Sequence, residues 1–225
     1  MKPTLTLLLL GGALTMASAQ KREAVQMTEQ YNDVSQMMSR TTQYLLPAFD
    51  KGMVIFKNGE TAAAQLNYNM LLEQMQFMES DSSILAIANL DEVMYVSIGK
   101  RFFVKLKTQF IEVIMDGSEL QLGVARKLRI VDHRKDGGYG GTTSLMKVES
   151  VSTLSGASAD HLVGTEEIVY EESATYYLIA GGKPKVASKK VFAKAFPACK
   201  ESIDKQDVDY SNEAQLRALF VLCKP

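Results

Sequence analysis

The chain has 225 residues, a formal net charge of −1 at pH 7, two cysteines and no tryptophan. This length is enough for one domain with a sizeable core, or for one domain with an appendage. A nearly neutral charge balance without basic blocks argues against nucleic acid as the main partner.

Residues 1–19 have the pattern of a secretory signal peptide. Lys2 gives a positive start, residues 5–14 supply an apolar run, and the sequence ASA at 17–19 offers the small residues that a signal peptidase needs. An apolar run of about ten residues is too short to span a bilayer. We therefore expect cleavage after Ala19 and an exported chain, periplasmic or secreted, that does not span the membrane. An uncleaved membrane anchor is the alternative.

The segment 20–48 predicts an N-terminal helix. Its apolar residues recur at intervals of three, four and seven, and Pro47 ends the pattern. An amphipathic helix packed on the rest of the protein fits this spacing. The apolar stripe consists of Met27, Tyr31, Val34, Met38 and Leu45.

Residues 49–187 predict an antiparallel β-rich domain, because apolar and polar residues alternate through much of the segment. Strands are expected at 93–98 and 101–106, and two more at 168–170 and 175–179. At 74–77 a strand is expected, with a helix as the competing interpretation. Two-residue turns between such runs predict a meander. These turns are NG at 58–59, GK at 99–100 and DG at 116–117.

Residues 188–225 return to helical spacing and predict a helical hairpin packed on the domain. Ser188 is expected to cap the first helix, and Ser211 or Asn212 the last. Pro197 is expected to kink the first helix or to start a second one. The predicted fold class is thus mainly β (α+β): a meander that forms a sandwich or a barrel-like sheet, between an N-terminal helix and this hairpin. The apolar face of the last helix comprises Leu216, Leu219, Phe220 and Cys223.

The two cysteines predict one disulfide, Cys199–Cys223. An exported chain matures under oxidising conditions, which favours a bridge. Two buried free thiols in facing helices are the alternative, because a bridge also requires Cα atoms within bonding range.

Five stretches together carry a resemblance to a known group. The chain resembles uncharacterised exported proteins of Gram-negative bacteria, and the resemblance covers most of the sequence after the leader. It implies export, a β-rich body and a C-terminal helical hairpin, and it brings no activity, cofactor or site residue. The stretches are KGMVIFKNGETAAAQLNYNMLLEQMQF (51–77), ILAIANLDEVMYVSIGKRFF (84–103), FIEVIMDGSELQL (110–122), GGYGGTTS (137–144) and YYLIAGGKPKVASKKVFAKAFPACKESI (176–203).

The glycine-rich stretch DGGYGGTTS (136–144) lacks the features of a phosphate-binding loop. A Walker-type loop carries Lys and then Ser or Thr after its last glycine, whereas Thr142 follows Gly141 directly. A dinucleotide fingerprint needs a glycine where Thr143 stands, between a strand and a helix. The stretch therefore predicts a loop within the meander, with Tyr139 at its tip.

Two aromatic pairs provide the candidate binding residues. Adjacent residues of a strand point to opposite faces, so Phe102-Phe103 and Tyr176-Tyr177 each place one ring on each face. One ring of each pair is expected in the core, and the other can line a ligand groove. The candidate ligand-binding residues are Tyr139, Phe103 and Tyr176, with ordinary cover of the sheet as the alternative.

The histidines do not predict a metal centre. His133 and His161 each lie beside an aspartate, but zinc usually needs three or four ligands. A solvated polar loop is the better interpretation, and we predict no metal site and no cofactor. A triad of Ser144, His161 and an aspartate lacks the G-x-S-x-G elbow. Cys199 has an expected disulfide partner rather than a catalytic base.

An acidic stretch surrounds the sequence IVY at 168–170. Paired carboxylates for glycoside hydrolysis must face each other across a cleft, whereas neighbours on one strand point apart. A solvated sheet edge is the favoured interpretation, and weak Ca²⁺ binding is the alternative. The residues are Glu166, Glu167, Glu171 and Glu172.

The residues form no coherent catalytic set. This favours a non-enzymatic binding or structural module of the cell envelope, whose partner is an envelope protein or a small ligand. A hydrolase of envelope or extracellular polymers is one alternative, and a carrier of a lipid or other hydrophobic ligand is another.

Overall fold

The structure is a computed structural model, and it describes residues 22–27, 40–107, 109–117, 119–137, 141–146 and 166–224. Within these residues the chain forms a twelve-stranded sheet and four α-helices. The strands are β1 (Arg22–Met27), β2 (Asp50–Phe56), β3 (Thr61–Asn69), β4 (Gln74–Met78), β5 (Ile84–Ala86), β6 (Val93–Ile98), β7 (Arg101–Leu106), β8 (Gln109–Asp116), β9 (Leu120–Gly137), β10 (Gly141–Met146), β11 (Glu166–Ala180) and β12 (Lys183–Val186). The helices are α1 (Arg40–Gln43), α2 (Lys189–Ala195), α3 (Lys200–Lys205) and α4 (Glu213–Cys223), with 3₁₀ turns at Leu90–Glu92 and Pro197–Cys199.

All strand pairs in the sheet are antiparallel, which confirms the predicted fold class. The strands follow the order β1-β11-β9-β8-β7-β6-β2-β3-β4-β5, while β10 pairs with β9 and β12 with β11. β6 to β9 form the predicted meander of consecutive neighbours. The sheet is not closed into a barrel, since β1 and β5 end the strand order and do not pair with each other in the described part of the chain.

The predicted turns lie where the dipeptides stand. Gly59 and Gly99 have positive φ values of 88° and 53°, which glycine adopts without a Cβ penalty. These turns join β2 to β3 and β6 to β7. Residues 74–77 lie in strand β4, as expected. The segments 168–170 and 175–179, expected as two strands, belong to the single long strand β11.

The N-terminal segment differs from the predicted helix. Residues Arg22–Met27 form β1, which pairs with β11 from Arg22 opposite Glu171 to Met27 opposite Glu166. Only Arg40–Gln43 are helical among the described residues of the segment, and Tyr31, Val34 and Met38 lie outside them. β12 covers β11 only from Tyr177 to Ala180, so the remaining edge of β11 offers backbone groups that β1 pairs. A ladder of backbone hydrogen bonds here outweighs the helical spacing of side chains.

The sheet curls around a core at one end. β8 pairs with β9 from Glu112 opposite Val124 towards the turn at 117, and further along β9 the backbone N–H of Leu128 donates to Met70 O at 3.0 Å. Where β9 no longer pairs with β8, its edge therefore contacts the turn after β3. The concave face encloses a cluster that includes Leu66, Tyr68, Met75, Val96, Phe103, Phe110 and Leu128.

The C-terminal helices cover the other end of the same sheet face. Leu122 and Val124 contribute to the cluster under the helices, and Leu128 and Ile130 to the cluster inside the curl, so even-numbered positions of β9 serve both. The Oγ of Ser188 accepts from the backbone N–H of Val191, and the side chain of Asn212 caps α4. Both predicted caps are confirmed. In the described residues, no helix is both long and apolar enough to cross a membrane.

Candidate binding pocket

An open pocket of about 450 Å³ lies where the C-terminal helices meet the turn between β8 and β9. Gly117, Glu119 and Leu120 line it on the sheet side. The opposite wall comes from the end of α2, from the 3₁₀ turn, from Ser202 of α3 and from the last turn of α4. The lining is mainly apolar, and its side chains with polar ends are those of Glu119 and Ser202. The helical contributors include Phe196, Pro197, Ala198, Phe220 and Leu222.

The disulfide forms part of the pocket wall. Cys199 closes the 3₁₀ turn after Pro197, and Cys223 is the last residue of α4. Their Sγ atoms are 1.96 Å apart and their Cα atoms 5.4 Å apart, which confirms the predicted bridge. The bond closes a loop with a sequence separation of 24 residues. Cross-linking a loop of this length stabilises the folded state by about 3 kcal/mol in the chain-entropy model.

Aromatic packing and one glycine shape the floor of the pocket. The rings of Phe196 and Phe220 meet edge to face, with centroids 5.8 Å apart and an interplanar angle of 90°. Gly117 lies opposite them. A Cβ atom on Gly117 would be 2.7 Å from Leu120 O and 3.5 Å from Phe220 Cζ. The turn can therefore close tightly on Leu120 O only because residue 117 has no side chain, whereas a Cβ atom would meet Phe220 at an ordinary contact distance.

The charges around the pocket are few. Glu119 is the only charged residue that lines it in the described part of the chain. The C-terminal turn of α4 borders the pocket through Phe220 and Cys223, and a helix C-terminus carries partial negative charge on its last carbonyl groups. Lys224, the next residue, donates from Nζ to Asp116 O at 3.1 Å. Its ammonium is therefore held at the turn carbonyl.

An ion-pair network fixes the beginning of α4 against the sheet, at the opposite end of this helix from the pocket. Arg126 contacts Glu112 on β8 and also Glu213 on α4, the latter at 3.1 Å. Arg101 Nη1 lies 3.0 Å from Glu112 Oε1, and Arg217 Nη2 lies 2.8 Å from Glu213 Oε1. Glu112 is only 8 % exposed, so its two arginine partners offset the cost of burying its charge.

Tyr176 on β11 also contacts this network. Its hydroxyl donates to Glu213 Oε2 at 3.4 Å. Burial raises the pKa of Tyr176 above its usual value, and the negative charge of Glu213 raises it further. Tyr176 therefore stays protonated and acts as a hydrogen-bond donor between β11 and α4. Only the pair Glu213 and Arg217 has a local signal, the spacing of four residues on α4. Sequence reasoning missed the network because its other charges come from β7, β8 and β9, which are far apart in the chain.

A second cluster of buried polar side chains lies at the opposite end of the sheet. The outward positions Asn67 and Asn69 of β3 are each about 1 % exposed, because residues 43–48 cover them. Asn67 accepts from Leu46 N at 3.1 Å and donates to Leu46 O at 2.9 Å. Tyr44 donates to Gln76 Oε1 at 2.5 Å. These neutral amide contacts fasten the segment before β2 to the sheet and account for the polar side chains without a ligand.

The candidate ligand-binding residues lie in different places. Phe103 is 1 % exposed, with its ring 6.4 Å from that of Tyr68, and the solvent-facing member of its pair is Phe102, which is 49 % exposed. Tyr176 and Tyr177 are both buried. Neither Phe103 nor Tyr176 lines the pocket. Tyr139 lies outside the described residues, and the binding role of all three stays a prediction.

Of the histidines and the hydroxyl candidate, the structure places His133 and Ser144 on neighbouring strands. His133 lies on β9, in register with Ile168, and Ser144 lies on β10, in register with Arg134. His161 is outside the described residues. Within those residues, no group of three or more His, Cys, Asp or Glu side chains is placed to hold a metal ion.

The acidic stretch was predicted at a sheet edge, and this prediction is wrong for the segment 166–171. β11 lies between β1 and β9 over the segment 166–171. The register places basic residues opposite the acidic ones: Lys135 opposite Glu166, Arg134 opposite Glu167, and Arg129 opposite Glu171. The segment 166–171 is therefore paired with a neighbouring strand on both sides.

Comparison with known proteins adds no relative. The chain matches no family model, no curated protein and no solved structure.

Proposed function

We propose that this chain is an exported, non-enzymatic binding module of the cell envelope, and that it takes a small apolar ligand in the pocket between the β8–β9 turn and the C-terminal helices. The open apolar pocket of about 450 Å³ carries the proposal. Small-molecule sites are concave, mostly apolar and about 300–1,000 Å³ in size, with a few polar groups that orient the ligand.

The construction of the pocket supports a binding role. Its walls come from separate elements that are tied together by the Cys199–Cys223 bond and by the packing of Phe196 on Phe220. A site whose walls are already fixed binds with less loss of conformational freedom, which favours affinity. The two polar side chains, Glu119 and Ser202, supply the few groups that give a bound molecule its orientation.

Two observations support export. Residues 1–19 have the charge, apolar run and small residues of a cleavable leader. The disulfide Cys199–Cys223 is of a kind that forms and persists in oxidising compartments. After export, we expect the mature chain to begin at Gln20. N-terminal sequencing of the protein secreted or released from a Gram-negative host tests this, and an intact leader on the exported protein contradicts it.

The carrier alternative would require an apolar cavity inside the sheet. The concave side of the curled sheet is filled by large side chains, including Tyr68, Phe103 and Phe110. The space for a hydrophobic ligand lies instead at the helical end of the molecule. We therefore place the ligand at the helices and not inside the sheet.

A fluorescence titration with N-phenyl-1-naphthylamine, a neutral apolar dye, tests the proposed function. Ala198 is exposed and lines the pocket, so Ala198→Trp should fill it and weaken dye binding at least about tenfold, the equivalent of about 1.4 kcal/mol. Ala63→Trp is the matched control, because Ala63 is exposed on β3. We expect it to bind like the wild type. Absence of dye binding, or equal binding by both variants, overturns the proposal.

A further inference from the structure

We infer that the pocket selects apolar molecules that carry a protonated amine. This inference rests on the proposed function and names the class of ligand for the same site. It follows from the signs of the charges at the rim, which are independent of the apolar area that makes the pocket a binding site.

The first observation is the position of Glu119. Its carboxylate is the only charged group that lines the pocket within the described residues, and Glu119 is exposed to solvent at the start of β9. The other residues that line the pocket, among them Pro197, Ala198 and Leu222, carry no charge. A cation next to such a carboxylate gains Coulomb attraction without displacing an existing partner in the pocket wall.

The second observation is the direction of α4. This eleven-residue helix ends at Cys223, inside the pocket wall, so its last carbonyl groups lie at the rim. The partial negative charge of a helix C-terminus stabilises a cation by about 0.3–1 kcal/mol at an exposed site. Glu119 and the end of α4 therefore favour the same sign of ligand charge.

Lys224 is the cation beside this rim, and its position does not remove the preference of the pocket for a cationic ligand. Its Nζ donates to Asp116 O at 3.1 Å, so the ammonium is engaged at the turn carbonyl, beside Gly117. Lys224 is not among the residues that line the pocket. An anionic ligand would have to approach both Glu119 and the negative end of α4, so carboxylates are disfavoured.

Three probes of equal chain length separate charge from apolar contact: octylamine, 1-octanol and octanoate, each displacing N-phenyl-1-naphthylamine at pH 7. We expect octylamine to bind about fivefold more tightly than 1-octanol, which corresponds to an exposed ion pair, and octanoate to bind most weakly. At 1 M ionic strength, where the Debye length is about 3 Å, the affinity for octylamine should approach the affinity for 1-octanol.

Glu119→Gln is the deciding variant. It should bring octylamine to the affinity of 1-octanol and leave 1-octanol itself unchanged, because the amide keeps the shape of the side chain and removes its charge. Glu172→Gln is the matched control, since Glu172 is exposed on β11 and does not line the pocket. It should keep the preference for octylamine.

The two possible failures are distinguishable. Equal displacement by the three probes, blocked by Ala198→Trp, overturns the charge preference and leaves the apolar pocket in place. Displacement that Ala198→Trp does not affect, or no displacement at all, overturns the proposed function. An octylamine preference that persists in Glu119→Gln overturns the role of that carboxylate.

Discussion

The two ends of the sheet are built in opposite ways. At the curled end, β3, β4 and the meander pack Tyr68, Phe103 and Phe110 against one another and fill the concave face. At the helical end, the sheet is covered by α2, α3 and α4, which meet the β8–β9 turn around an open pocket. The close packing that is general in protein interiors extends through the curled end, whereas at the helical end it stops at the walls of the open pocket. The filled end provides stability, and we place binding at the open end.

The substitution with the largest expected effect lies at the filled end of the sheet. Phe103→Ala should lower the free energy of unfolding by about 3–5 kcal/mol, because the ring is 1 % exposed and its removal leaves a cavity. Phe102→Ala, on the solvent side of the same strand, should cost less than about 1 kcal/mol. Urea denaturation followed by circular dichroism measures both. Equal effects of the two substitutions would show that the faces of β7 are assigned wrongly.

The disulfide tests the open end. The double variant Cys199→Ser/Cys223→Ser should lower the free energy of unfolding by about 3 kcal/mol and weaken binding of N-phenyl-1-naphthylamine, because the pocket wall loses its covalent tie. Thermal and urea unfolding measure the first effect, and dye titration the second. In the wild type, thiol titration of the denatured, unreduced protein should find no free thiol. Detection of two thiols contradicts the bridge.

A smaller effect should come from the junction between the two ends, where the ion-pair network lies. Glu112→Gln removes the charge that Arg101 and Arg126 share, and should lower the free energy of unfolding by about 2 kcal/mol. Because Arg126 also contacts Glu213, amide hydrogen exchange of α4 should become faster. Glu172→Gln, at an exposed position, is the reference. If α4 exchanges at the same rate in both variants, the network does not hold the helix.

The smallest effect concerns pH and the filled end. Burial raises the pKa of Tyr68 well above its usual value near 10, and the negative charge of Glu73 adds to the shift. Between pH 10 and the folded-state pKa, the folded protein keeps the proton and the unfolded chain releases it. The free energy of unfolding must therefore fall as pH rises above 10.

Tyr68→Phe should make this decline shallower without abolishing it, since the pKa values of Tyr176, Tyr177 and Tyr210 are also raised by burial. Urea denaturation at a series of pH values from 8 upward measures the slope. A Tyr68→Phe variant with the wild-type slope contradicts the assigned burial of this hydroxyl.

The hairpins were predictable because their signals are local. A turn such as Asn58-Gly59 needs positive φ at its glycine, and alternating apolar residues on both sides reveal the strands it joins. The caps at Ser188 and Asn212 and the apolar face of α4 follow from equally short-range rules. The pairing of the two cysteines was predictable from their number and from the expected compartment. The fold brings their Cα atoms to 5.4 Å from each other.

The candidate site was not predictable in the same way. Phe103 and Tyr176 were selected for their place on a strand, which shows that two faces exist and leaves open which face is covered. Tyr139 was selected for its place at the tip of the predicted loop. The pocket draws on the β8–β9 turn and on the last turn of α4, about a hundred positions apart, and Glu119 has no motif to mark it. The strand β1 escaped prediction for a related reason, since the edge of β11 that it pairs with, from Glu166 to Glu171, lies about 140 residues further along the chain.

By itself, the sequence determined the class of the fold, the positions of most turns and the helix caps. These features depend on backbone conformation and on side chains within a few residues of one another. Only the tertiary structure decided that the sheet curls without closing, that Asn67 and Asn69 are buried beneath the segment before β2, and that the helices leave a pocket beside the β8–β9 turn. The physical reason is that burial and cavities depend on the distance between elements far apart in the chain, and residue spacing does not encode that distance.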